Sequence, residues 1–179
     1  MKALISGGCK NGKSLYAQKW INKLAGSSEK YYIATMQPAD KEDEQRIINH
    51  QNERIDWGYI TVEQPVDIQN ITNICKKNTS ALIDSTTALL SNEMFGCGEI
   101  RTDAYKKIIY EIDVVCDYFK NIVIVSDYIY SDAGNYDDLT EKYRFGLAQI
   151  DRFLAKKLSN VIEVSFGNLI IHKGGNLGF

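Results

Sequence analysis

Eight consecutive residues, Gly7-Gly8-Cys9-Lys10-Asn11-Gly12-Lys13-Ser14, have the form G-x-x-x-x-G-K-[ST]. This is the spacing of a phosphate-cradling loop between a strand and a helix. The glycines admit positive φ and let the backbone approach a ligand closely. Successive N–H groups then converge on one concavity, and the N-terminus of the next helix adds the positive end of its dipole. The Lys13 ammonium would meet the β- and γ-phosphates of a nucleotide, and the Ser14 hydroxyl would ligate Mg²⁺. A glycine-rich turn that fits by chance is the alternative. The flanks argue against it: Ala3-Leu4-Ile5-Ser6 reads as a strand, and Ser14 to Leu24 as an amphipathic helix.

Two further residues could take part in the same chemistry. Asp84 ends the apolar run Ala81-Leu82-Ile83, and an acid so placed holds Mg²⁺ directly or through water in phosphate-loop proteins. Its other reading is a cap for the helix that begins at Ser85-Thr86-Thr87. His50 lies in Gln45-Arg46-Ile47-Ile48-Asn49-His50-Gln51-Asn52-Glu53-Arg54. On helical spacing Arg46, His50 and Arg54 share one face. An imidazole there could attack phosphorus while the guanidiniums balance phosphate charge. The other reading is a surface histidine in a charged helix.

Positioning these groups requires an ordered succession of elements. Strands are expected at Ala3–Ser6, Tyr31–Thr35, Tyr59–Glu63, Ala81–Asp84, Ile122–Ser126, Val161–Ser165 and Leu169–His172. Helices are expected from Ser14 to Leu24, from Asp40 to Arg54, from Pro65 to about Cys75, and from Thr87 to Phe95. Two more run from Thr102 to Phe119 and from Leu139 to Leu158. Ile122-Val123-Ile124-Val125-Ser126 is the most strand-like run and suits the centre of a sheet. Gly167-Asn168 marks a hairpin turn. Strands alternating with helices predict an α/β fold of the P-loop NTPase type, a mainly parallel sheet with helices on both faces. No linker divides the chain, so one nucleotide-binding domain over residues 1–179 is expected.

Composition narrows the classes. A net charge of −2 leaves no electrostatic footprint for nucleic acid or an anionic membrane. No apolar run reaches the ~20 residues of a membrane span, and no charged-then-apolar leader opens the chain. The four cysteines include no C-x-x-C pair, which suggests neither a zinc site nor a disulfide framework. A reduced, cytoplasmic location is the expectation.

In four ordered segments the chain resembles the bifunctional adenosylcobinamide kinase / adenosylcobinamide-phosphate guanylyltransferase family of cobalamin biosynthesis. They are Ile5 to Ser14, Tyr32-Ile33-Ala34-Thr35-Met36, Arg46 to His50 continuing through Arg54 and Trp57 to Thr61-Val62-Glu63-Gln64-Pro65, and Ala81 to Asn92. The resemblance is strong over the first half of the chain and weak over the second. It implies that GTP, with Mg²⁺, donates GMP to His50 as a covalent phosphoramidate, and that a substrate phosphate then takes up the nucleotide. The acceptors it implies are adenosylcobinamide or its phosphate, with ATP tolerated in the kinase step. Nucleotide contacts are implied from the loop, from Ala34, Thr35 and Met36, from Gln51, Asn52, Glu53 and Arg54, and from Glu63 and Asp84. Family members are trimers, which implies a homo-oligomer.

The second half departs from the family pattern. Where that pattern reads Asn-Glu-Val-Gly after the central strand, this chain has Asp127-Tyr128-Ile129-Tyr130. An Arg-Asp and an Asn-Gln pair become Arg144-Phe145 and Asp151-Arg152, so only Arg144 is kept. Tyr128, Tyr130 and Tyr136 read either as rim or subunit packing, or as an aromatic wall for a different ligand. Two other functions therefore stay open: a divergent relative acting on another substrate, and a GTP-binding regulatory protein without turnover.

Overall fold

A computed structural model describes residues 1–38, 48, 57–96 and 98–175. Arg46, His50, Gln51, Asn52, Glu53 and Arg54, with the helix expected from Asp40, lie outside the described residues, as does Cys97.

The strands are β1 (Lys2–Gly7), β2 (Lys30–Ala34), β3 (Ile60–Glu63), β4 (Ser80–Asp84), β5 (Asn121–Asp127), β6 (Asn160–Ser165) and β7 (Asn168–Lys173). The α-helices are α1 (Lys13–Ala25), α2 (Thr86–Phe95), α3 (Ala104–Tyr118) and α4 (Asp138–Lys157). The strands form one sheet in the order β3-β2-β4-β5-β1-β6-β7. All neighbours are parallel except β6 and β7. The expected P-loop-type sheet is therefore present, with β5 at its middle.

Period-two alternation sorts the strand side chains into two cores. Leu4, Ile33, Ala81, Ile83, Ile122 and Ile124 face α2, α3 and α4. Ala3, Ile5, Tyr32, Leu82, Val123 and Val125 face Ala17, Trp20 and Ile21 of α1. A strand apolar on both faces needs cover on both, and crossover helices supply it. Each fully buried Leu, Ile or Val contributes about 1.5–3 kcal/mol of transfer free energy.

Helix ends follow the local sequence. The N–H of Gly26, at φ 56, closes α1 by donating to the Asn22 carbonyl at 3.1 Å. The Asp137 side chain caps α4, accepting from the Leu139 and Thr140 N–H groups at 2.9 and 3.0 Å. Acids in the first turn of α4 and Lys156 and Lys157 in its last complement the helix dipole.

One expected helix is different. From Pro65 onward the chain forms only a 3₁₀ segment, Ile68–Asn73. Asp67 adopts a left-handed conformation at φ 51, so no helix can run through it from Pro65. Ile68 and Ile71, three apart and both fully buried, suit the eclipsed 3₁₀ spacing. The last hairpin also shifts by one residue: Phe166 and Gly167 carry the positive φ values of its turn, and Asn168 begins β7.

Candidate nucleotide-binding cleft

β1 ends at Gly7 and α1 begins at Lys13, so the phosphate-loop motif occupies the strand-to-helix turn that it requires. Lys10 and Gly12 take positive φ, 56° and 88°. Gly7 has no room for a side chain, since a Cβ there would fall 2.5 Å from the Val164 carbonyl oxygen and against the Asn11 amide. That amide donates to the Val164 carbonyl and ties the loop to β6, while its Oδ1 accepts from the Lys13 N–H at 3.3 Å. Lys13 is buried. Its Nζ donates to the Gly8 carbonyl at 2.6 Å and pairs with Asp127 Oδ1 at 2.6 Å.

Asp84 stands across the cleft at the end of β4 and accepts from the Tyr32 hydroxyl at 2.7 Å. The cap of α2 is Ser85, whose side chain accepts from the Ala88 N–H at 3.3 Å. Asp84 is therefore not the capping residue, and its carboxylate lines the cleft. Thr35 is buried; its Oγ1 accepts from the Ser85 N–H at 2.7 Å and donates to the Ser85 carbonyl at 2.8 Å. The Asn92 amide donates to the carbonyls of Thr35 and Pro65, at 2.7 and 3.1 Å. These bonds clamp the end of β2 to α2, which positions Met36 at the cleft wall.

The cleft encloses about 670 Å³ at the carboxyl ends of the strands, the usual place for a ligand in such sheets. Of the residues assigned from sequence, Cys9, Lys10, Asn11, Gly12, Lys13, Ser14, Met36 and Asp84 line it. Gly7 supports the loop from behind, and Gly8 lines an adjoining cavity. Ala34 sits at the end of β2, where its carbonyl accepts from the Gln64 N–H at 2.9 Å. Glu63 is exposed on the edge strand β3, in register with Ala34, and does not itself form part of the lining. Ser14 and Asp84 offer hydroxyl and carboxylate oxygens, a hard donor set that suits Mg²⁺ completed by substrate phosphates and water.

Asp127, Thr87 and Tyr143 also line the cleft and were not assigned from sequence. β5 lies between β1 and β4, and its register sets Asp127 level with Gly7. The Asp127 N–H donates to Thr87 Oγ1 at 3.0 Å, and the Tyr143 hydroxyl donates to the Thr87 carbonyl at 2.9 Å. A signal for Asp127 existed. Ile122 to Asp127 repeats the apolar-run-then-acid pattern of Ala81 to Asp84.

The tyrosines beyond β5 have specific partners. Tyr128 donates to Glu163 at 3.0 Å, and the other oxygen of Glu163 meets His172 Nε2 at 2.9 Å. Tyr130 and Ser126 both donate to Asp151 Oδ2, at 2.8 and 2.9 Å. Burial pushes the Asp151 carboxyl up to about 6, against the lowering effect of those two hydroxyls. Tyr136 lies under the Arg144 guanidinium, 4.4 Å from ring centroid to Cζ.

A family profile described as cobinamide kinase / cobinamide phosphate guanyltransferase matches residues 3–170. The chain belongs to this family. The match spans Tyr128, Arg144 and Asp151 in the second half, where the resemblance in motifs is weak. Membership carries the class of activity, phosphoryl and nucleotidyl transfer with nucleotide and cobinamide substrates in cobalamin synthesis. No curated protein sequence matches the chain.

Among solved structures, an ATPase domain superposes at a TM-score of 0.56 with 13% identity, over 97% of this chain and 76% of that one. A KaiC-like protein from Pyrococcus horikoshii gives a TM-score of 0.50 at 14% identity, over 97% and 78%. The ATPase of a bacterial type III secretion system gives 0.52 at 12% identity, over 92% and 51%. At such identities the likeness concerns fold alone, and it is the P-loop NTPase fold. Among the described residues no helix is long and apolar enough to cross a membrane.

Proposed function

We propose that this family member phosphorylates adenosylcobinamide and then converts the product to its GDP derivative, using His50 as the carrier of GMP. The observation that carries the reading is the meeting of Lys13, Ser14 and Asp84 in one cleft, in a chain matched to the family over 3–170. GTP serves the guanylyl step and ATP or GTP the kinase step, within one domain over residues 1–179. Lys10, Asn11, Gly12 and the backbone of Gly7, Gly8 and Cys9 hold the phosphates. Ala34, Thr35, Met36, Glu63 and Gln51 to Arg54 complete the nucleotide site.

In the guanylyl step a nitrogen of His50 attacks the α-phosphorus of GTP, the bond to the β-phosphate oxygen breaks, and pyrophosphate leaves. An oxygen of the substrate's phosphate then attacks the same phosphorus and frees His50. Splitting one displacement into two through an enzyme nucleophile is covalent catalysis. Lys13 balances the charge that builds on the phosphates. Mg²⁺ held by Ser14 and Asp84 would supply further charge stabilisation on the leaving group. A homotrimer and a cytoplasmic location belong to the same reading.

The test is incubation of the full chain with α-labelled GTP and Mg²⁺. Acid-labile label that survives denaturation of the protein and is lost in His50→Ala is the expected result. Equal labelling of the variant would remove His50 from the mechanism.

A further inference from the structure

We propose that a second cavity, between the loop after β5 and the N-terminal half of α4, receives the hydroxyl-bearing arm of the phosphoryl acceptor, and that Asp127 takes the proton of that hydroxyl. The inference rests on the kinase reading above and extends it to the acceptor. The cavity encloses about 410 Å³, and its wall includes Asp127, Tyr128, Ile129, Tyr136, Thr140 and Arg144. Asp127 and Cys9 line this cavity and the nucleotide cleft alike. The two spaces thus meet at the carboxylate whose Oδ1 lies 2.6 Å from Lys13 Nζ. A terminal phosphate held by Lys13 would stand at that junction, and a hydroxyl arriving from the second cavity would reach it past Asp127.

Charge selects the kind of acceptor. Arg144 is the buried cation of this wall, but its Nη atoms are paired at 2.7 Å with Asp132 and with Glu141. Its enclosed Nε has no hydrogen-bond partner among the described residues. Asp127 is likewise paired with Lys13, so among the described residues that line the cavity no cation is left unpaired for an acceptor phosphate, and a neutral alcohol is the acceptor that fits. Tyr136 and Ile129 remain partly exposed at the rim, 45% and 39%, where they can contact a bulky molecule whose arm alone enters. Tyr128 is not a competing base, because its hydroxyl is bound to Glu163.

The step balances without another reactant. The alcohol oxygen attacks the γ-phosphorus, and the bond from that phosphorus to the bridging oxygen breaks. The nucleoside diphosphate leaves with the electron pair, and the hydroxyl proton passes to the Asp127 carboxylate. An aspartate that orients and deprotonates the acceptor hydroxyl serves protein kinases in the same way.

The test measures phosphoryl transfer from γ-labelled ATP by the full chain, once to adenosylcobinamide and once to water alone. Asp127→Asn is expected to lower kcat to the corrinoid at least ~100-fold and to slow hydrolysis as well. Nucleotide binding should hold or tighten, since a carboxylate beside Lys13 is lost. Asp127→Glu should recover part of the rate, which a loss of fold would not allow. Ile129→Trp should raise the acceptor KM by about tenfold or more, since it fills a wall of the cavity. Undiminished transfer by Asp127→Asn, or an unchanged KM in Ile129→Trp, overturns the inference. If the wild type leaves adenosylcobinamide untouched yet hydrolyses ATP through Asp127, the substrate reading fails and the role of Asp127 stands. If hydrolysis also ignores Asp127, both fall.

Discussion

The two walls of the nucleotide cleft are built in opposite ways. One wall is the loop Gly7–Ser14, eight consecutive residues whose shape follows from three glycines, positive φ at Lys10 and Gly12, and a short strand-to-helix turn. The facing wall collects Asp84, Thr87, Asp127 and Tyr143 from β4, α2, β5 and α4. The loop is local and carries its own signature. The opposite wall exists only after four elements have packed, and each of its members has an ordinary structural reading when taken alone. A site assembled from distant strand ends is therefore tuned by packing, whereas the loop is tuned by backbone conformation.

The largest expected effect lies on the loop. Lys13→Ala should reduce nucleotide-dependent turnover by about 10³-fold, the loss of a preorganised cation at developing phosphate charge. Turnover of labelled ATP and GTP, read beside calorimetric binding, checks it. A drop of less than tenfold would mean that the opposite wall carries the phosphates.

Next comes a pH effect behind the second wall. Asp151 is buried, and its folded value of about 6 stands above the 3.8 of an exposed aspartate. The unfolded chain therefore releases this proton first, and native stability falls as pH rises from about 4 through 6. Asp151→Asn removes the titration. Relative to the variant, the wild type should lose on the order of 2–3 kcal/mol between pH 4 and pH 7. Urea unfolding at pH 4, 5.5 and 7 measures this, and parallel pH profiles for the two chains would contradict it.

Gly7→Ala sharpens the contrast from the loop side. Its new methyl group would meet the Val164 carbonyl at 2.5 Å, and backbone cannot step aside as a flexible side chain can. A loss of about 1–3 kcal/mol is expected from overpacking, together with weakened nucleotide binding. Thermal unfolding should show it, and a wild-type melting temperature would not be compatible with this geometry.

The smallest effect is on the packed wall. Tyr143→Phe removes the hydroxyl that donates to the Thr87 carbonyl at 2.9 Å. Its cost should be about 0.5–1.5 kcal/mol, as for a single hydrogen bond. If it instead abolished turnover, Tyr143 would have to touch substrate.

Much of this was legible before any coordinates. The strand positions, the mainly parallel sheet, the central place of Ile122–Ser126 and the loop itself follow from period-two and helical patterning, because both periods report which face is buried. The 3₁₀ segment at Ile68–Asn73 was not legible. Ile68, Ile71 and Cys75 suit an α-helical spacing as well, and only the left-handed Asp67 breaks it. Asp84 had two readings, metal-side acid or helix cap, and Ser85 took the capping role. Thr35 was expected to contact nucleotide; that its hydroxyl bonds both backbone groups of Ser85 is a long-range pairing that local patterning does not reveal.

By itself the sequence determined the phosphate-loop motif, the order of strands and helices along the chain, and the family to which they belong. These depend on residues close together in the chain, where the dihedral freedom of glycine and the burial of alternate side chains act locally. Strand order in space depends on which strands pair, and that is a non-local choice. Only the tertiary structure inserted β5 between β1 and β4, and so set Asp127 beside Lys13 at the junction of two cavities. A charge pair formed across more than a hundred residues leaves no mark on local periodicity, because packing of the finished sheet creates it.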